Sequence, residues 1–126
     1  MKQVTKIVPR EPANVDQDRL SALYLQLGQA NAEDVVCRAM EELALRLSHC
    51  DRLYRDLALD DLRKGVRSLI AIADQIGMSD VSVVAGHVTA CIDNEDATAL
   101  ASTSARLLRI GEKSLSTMWD SQDSII

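Results

Sequence analysis

Large aromatic side chains are almost missing from this chain: there is no Phe, and Tyr24, Tyr54 and Trp119 are the only Tyr and Trp. A core must then come from Leu, Val, Ile and Ala, which suits helices packed closely side by side. Basic charge is in deficit as well, with 14 Lys and Arg against 19 Asp and Glu and a net charge of −5. That balance argues against nucleic acid or an anionic membrane as partner, because phosphates need a basic face. No apolar run approaches the ~20 residues of a membrane span, and the N-terminus lacks the unbroken apolar stretch of a signal peptide. Both absences point to a cytoplasmic protein. Cys37, Cys50 and Cys91 are widely spaced without a C-x-x-C pair, so zinc and dithiol redox chemistry lack their usual pattern. They read as reduced thiols on or beside apolar stripes. A Gly-rich phosphate loop, a nucleophile elbow and an H-E-x-x-H helix are absent too. No metal, no cofactor and no catalytic residue are expected.

What is present is helical periodicity. A length of 126 residues, 47% hydrophobic and 26% charged, fits one globular domain able to bury its own core. Residues 1–14, with Pro9 and Pro12, read as an irregular lead-in, 15–119 as a single domain and 120–126 as a loose tail. A short helix is predicted over 16–27, with Leu20, Leu23, Tyr24 and Leu27 on its apolar face and Gly28 as its stop. Residues 29–31 read as a polar loop with Asn31 as an N-cap. Val36, Met40, Leu43, Leu47, Cys50, Tyr54 and Leu57 then recur at alternating steps of three and four, which marks one face of a long helix. A second stripe, Leu59, Leu62, Val66, Leu69, Ala73 and Ile76, is out of phase with the first. A turn is therefore expected near 57–60, with Asp60 or a neighbour as cap. Gly77 ends that helix and Ser79 caps the next, with Val81, Val84, Val88 and Cys91 inward. A polar break at 93–96 precedes a last helix over about 95–118. Its inner face mixes Leu100, Leu107, Leu108 and Leu115 with the small Ala97, Ala101, Ser104 and Gly111. Four helices on short loops, with a short first helix across one end, predict an all-α, antiparallel up-down four-helix bundle.

The chemistry-bearing side chains are few. His49 and His87 read as structural or solvated, and His49 beside Cys50 points elsewhere, which makes a poor metal pair. The pairs Glu41-Glu42 and Asp60-Asp61 read as solvated face and helix cap, since adjacent helical carboxylates do not converge on one substrate. Arg63, Lys64 and Arg67 form a small basic ridge, either paired with nearby acids or free to dock an acidic pocket. Just beyond, residues 69–73 read Leu-Ile-Ala-Ile-Ala, more apolar surface than a single stripe requires.

These segments together resemble the histidine-containing phosphotransfer (HPt) domain family of bacterial phosphorelays. Met40-Glu41-Glu42-Leu43 is similar to the family's Phe/Leu-Glu-Glu-Leu. The run from Leu62 to Leu69 is similar to its L-R-R-x-A-H-x-L-K-G, Ile76-Gly77-Met78 to its hydrophobic-Gly-Ala, and Asp93-Asn94-Glu95-Asp96 to its Gly-Asp turn. The similarity spans about residues 20–118. In this register the phosphoacceptor position is Arg67, and the Lys-Gly after it becomes Ile70-Ala71. Matching Lys64-Gly65 to that Lys-Gly instead would place Asp61 at the acceptor position and Gly77 about two turns too far on. Neither register supplies a histidine, and a protonated guanidinium has no lone pair with which to take a phosphoryl group.

The resemblance therefore implies a non-catalytic, HPt-like signalling module. It would dock a response-regulator receiver domain or a histidine kinase without being phosphorylated, through Arg63, Arg67, Ile70, Ala71 and Asp74. The alternative is a homodimeric helical bundle that uses the 69–73 patch and has no phosphorelay partner. A third reading makes His87 a substitute phosphoacceptor.

Overall fold

The computed structural model describes residues 14–123; residues 1–13 of the expected 1–14 lead-in and 124–126 of the expected tail lie outside the described residues. Within them the chain is all helical: α1 (Gln17–Leu27), α2 (Gln29–Arg55), α3 (Leu59–Gln75), α4 (Ser79–Asp93) and α5 (Ala97–Asp123). Successive helices pack on one another, and α5 returns to touch α2.

Asp16 caps α1, its Oδ1 accepting from the Arg19 N–H at 3.1 Å. Gly28, at φ 81°, is the single residue between α1 and α2, which starts at once. The expected loop at 29–31 is therefore helix. Asn31 is no N-cap: its Nδ2 donates to the Leu27 carbonyl at 3.2 Å, satisfying the end of α1 instead.

The three remaining helix–helix links share one device. At 57 the backbone N–H of Leu57 donates to the Tyr54 carbonyl and that of Ala58 to Leu53, both at 3.0 Å. The pattern recurs with Gly77 to Asp74 and Met78 to Ala73, and with Glu95 to Ile92 and Asp96 to Cys91. Each pair is a Schellman closure, which needs a left-handed residue at its centre. Leu57 (φ 56°), Gly77 (φ 76°) and Glu95 (φ 55°) take that conformation. The expected caps shift accordingly. Ala58 precedes α3 with no side-chain bond, while Asp60 and Asp61 sit in its first turn, where they favour the helix dipole. Met78, not Ser79, occupies the cap position of α4. Asp96 caps α5 by accepting from Ala99 N–H at 3.0 Å, so that helix begins at Ala97. It also runs on to Asp123, so residues 120–123 are helix where a tail was expected.

The core matches the stripes in α2, α3 and α4. Met40, Leu43, Leu62, Leu69, Ile76 and Met78 are among its fully buried members. Leu57, expected on the α2 stripe, is instead exposed in its turn. On α5 the buried row is Leu100, Leu107, Ile110, Leu115 and Met118, with Gly111 and Ser114. Leu108 is half-buried, and Ala97 and Ala101 face solvent. Gly111 allows α2 and α5 to approach: a Cβ there would lie 2.5 Å from Leu47 Cδ1 and 3.2 Å from its Cγ.

Two outcomes follow. Leu57→Gly removes left-handed strain at a site that buries little, so it should stabilise the fold by about 0.5–1 kcal/mol after the entropy of a freer unfolded chain. Denaturant titration reads this as a higher midpoint at unchanged slope. Gly111→Ala should destabilise by about 1–2 kcal/mol through overpacking on Leu47. Adding Leu47→Ala should relieve that clash, so the double mutant is more stable than the sum of the two singles predicts.

Candidate functional site

The five residues expected to form a docking face lie on one helical row of α3. Arg63, Arg67, Ile70 and Asp74 follow steps of four, three and four, with Ala71 beside them. Two of them reach across to α4. Arg63 donates from Nε to Asp93 Oδ1 at 2.8 Å and from Nη2 to Oδ2 at 3.2 Å, a bidentate pair. Asp74 Oδ1 accepts from the Ser82 hydroxyl at 2.5 Å, and the Asp74 carbonyl accepts from Arg19 Nε at 3.3 Å. These contacts fix the register: α3 and α4 run antiparallel, pinned at points eleven residues apart on each helix, about three turns.

That register gives α4 a facing row which sequence reasoning missed. Between Ser82 and Asp93 it consists of Gly86 and Thr89, which places Thr89 level with Arg67 and Gly86 level with Ile70. A Cβ built on Gly86 would meet nothing within 4 Å, so the seam is open there, a notch only in the sense of a missing side chain. Thr89 turns its hydroxyl back onto its own helix, donating to the carbonyls of Ala85 and Gly86 at 3.1 Å. Val83, His87 and Ala90 are exposed on the next α4 face. The one signal in the sequence was a glycine in the middle of an otherwise apolar helix.

The charges along the seam are unequal. Hydrogen bonds from Arg63 hold the Asp93 carboxyl below the ordinary carboxylate range, with smaller help from the charges of Arg63 and Arg67. Arg63 is thereby matched. Arg67 is exposed and makes no hydrogen bond or ion pair with the described residues. The middle of the seam thus carries a free cation on an acidic chain, flanked by a polar clamp at each end. The apolar run beside it is mostly used internally: Leu69 and Ala73 are fully buried, Ile70 and Ile72 are half-buried against the core, and Ala71 alone is exposed.

No family model, curated protein or solved structure matches this chain. Its chemistry must therefore be read from its own side chains. No group of three or more His, Cys, Asp or Glu among the described residues is placed to hold a metal ion. His49 and His87 are both exposed. Glu42 pairs with Arg46 at 2.9 Å, while Glu41, Asp60 and Asp61 face solvent. No described helix is long and apolar enough to cross a membrane. The cysteines are unpaired, with Cys50 buried and Cys37 and Cys91 half-buried. Burial pushes the Cys50 thiol up to about 11 from its ordinary 9.0, against a smaller opposing effect of Arg46.

Because Cys50 stays protonated in the fold to higher pH than in the open chain, the unfolded state releases its proton first. The stability tied to this thiol is full below about pH 9 and is lost progressively toward pH 11. Thermal unfolding of Cys50→Ala should therefore fall less steeply with pH over that interval than wild type. Parallel curves would refute the assignment.

Proposed function

We propose that this chain is a non-catalytic docking module of the phosphotransfer type, an up-down four-helix bundle formed by α2 to α5 with α1 as an extra N-terminal element. Three links of three residues each, at 56–58, 76–78 and 94–96, favour antiparallel neighbours, and the return of α5 to α2 closes the ring. The surface offered to a partner is the α3–α4 seam, and the partner is a receiver domain or a kinase of a two-component system.

The observation that carries this reading is Arg67. It is an exposed, unpaired guanidinium at the position where the resemblance places the phosphoacceptor, beside the notch at Gly86. A receiver presents carboxylates around its own phosphorylation site, and a guanidinium can bind them by charge-assisted hydrogen bonds without accepting phosphate. Arg63 and Asp74 act differently from Arg67. Each is already bonded within the seam, so they shape it rather than reach out. A homodimer through residues 69–73 has less support, since only Ala71 of that run is fully exposed.

Calorimetric titration against the receiver domains encoded in the same genome should find one that binds. Arg67→Ala and Gly86→Leu, the second filling the notch, should each weaken it about tenfold or more. Phosphorylated receiver or kinase should leave no label on this chain. Binding by no receiver or kinase, or label transferred to the chain, would overturn the reading; label abolished by His87→Ala would identify that residue as the acceptor.

A further inference from the structure

The α2–α5 seam is the least extensively packed of the four that join α2 to α5, and it leaves a trough of about 350 Å³ on the surface. Its floor is the half-buried Leu108 with the edges of Leu47 and Leu115, which are otherwise buried, and its polar rim is Asp51, Arg55 and Glu112. On α2 the lining runs from Ala44 to Arg55, about 16 Å of helix. An apolar floor between polar edges, laid along two helices, is the shape that receives the apolar face of a third.

The rim decides what kind of helix. Arg55 is bonded to Asp51, its neighbour one turn back, and is thereby neutralised. Glu112 is exposed and has no hydrogen bond or ion pair with the described residues. Two carboxylates face one guanidinium on a chain of net charge −5. A second copy set trough to trough would bring this surplus of negative charge against itself. We infer that the α2–α5 trough is a docking site for an amphipathic helix of a partner protein, with Lys or Arg flanking its apolar stripe. The salt link to Glu112 fixes its register, and Leu108 with the exposed edges of Leu47 and Leu115 takes the apolar side chains.

This site shares no helix with the α3–α4 seam and does not depend on the function proposed for it. The chain would then have two separate docking surfaces, as a scaffold needs. Trp119, the only tryptophan, is half-exposed one turn beyond Leu115 on the same row of α5 and so reports on occupancy.

The test uses the full chain and two synthetic helical peptides of about 18 residues, roughly five turns. One carries Leu on one face and Lys on the other; its counterpart carries Glu in place of Lys. At physiological salt the Leu/Lys peptide should bind one to one and change Trp119 emission, and the Leu/Glu peptide should not bind. Glu112→Lys, which reverses the rim charge, should weaken binding about tenfold or more by calorimetry. Ala44→Phe, which narrows the trough without changing charge, should do the same. Arg67→Ala should bind the peptide like wild type. Unaltered binding in both Glu112→Lys and Ala44→Phe would mean general attraction to an acidic chain and would overturn the site. A dimer in light scattering that Ala44→Phe dissociates would assign the trough to a second copy and overturn it too.

Discussion

The arrangement of this protein depends on three left-handed residues. At 57, 77 and 95 the chain reverses within three residues, each time closing the helix behind it with the same pair of backbone hydrogen bonds. Such a short link keeps each helix beside the one before it. Each helix therefore packs on its predecessor, and the buried rows are brought face to face. Two of the three positions are not glycine. Leu57 and Glu95 hold a conformation that costs about 1–2 kcal/mol for an L side chain, which the packing on either side offsets. Gly77 is under a further demand, because Asp16 lies against it. Asp16 N–H donates to the Gly77 carbonyl at 2.7 Å, and a Cβ at 77 would lie 2.8 Å from the Asp16 carbonyl oxygen. Glycine there meets both the dihedral and the close approach.

The same device explains what could be read in advance. The rows of α2, α3 and α4 are spaced by threes and fours, and burial follows them almost residue for residue. The phase change between Leu57 and Leu59 correctly located a turn that has neither glycine nor proline. Which residue turns left-handed was not legible, because nothing in the side chains of Leu57 or Glu95 signals it. Caps expected at Asp60 and Ser79 failed for the same reason, since the Schellman closures lead straight into the next helix. The loop at 29–31 failed because Gly28 alone separates α1 from α2. At the far end, Leu115 and Met118 bury enough of α5 to carry it past Trp119, where composition suggested a tail.

The candidate site was half legible. A single helix fixes its own rows, so Arg63, Arg67, Ile70, Ala71 and Asp74 could be grouped from spacing. Their counterparts on α4 depend on how two helices slide against each other, and no local pattern specifies that. Only the pairing of Arg63 with Asp93, thirty residues away, and of Asp74 with Ser82 brings Gly86 opposite Ile70. Of the two roles open to Arg63 in the sequence, pairing with an acid is the one it takes, as one end of a clamp.

The apolar excess at 69–73 takes on a different meaning once α3 is seen to have two helical neighbours. A helix lodged between α2 and α4 needs apolar side chains on both flanks of its buried line, and Ile70 and Ile72 supply them on either side of Leu69 and Ala73. Little of that run is left to attract a partner by hydrophobic area. The docking proposed for this seam would then rest on the charge of Arg67 and the open space at Gly86. Contacts of that kind give specificity and fast association more than tight binding, and they weaken as salt rises. Such a seam suits a partner that is meant to leave again.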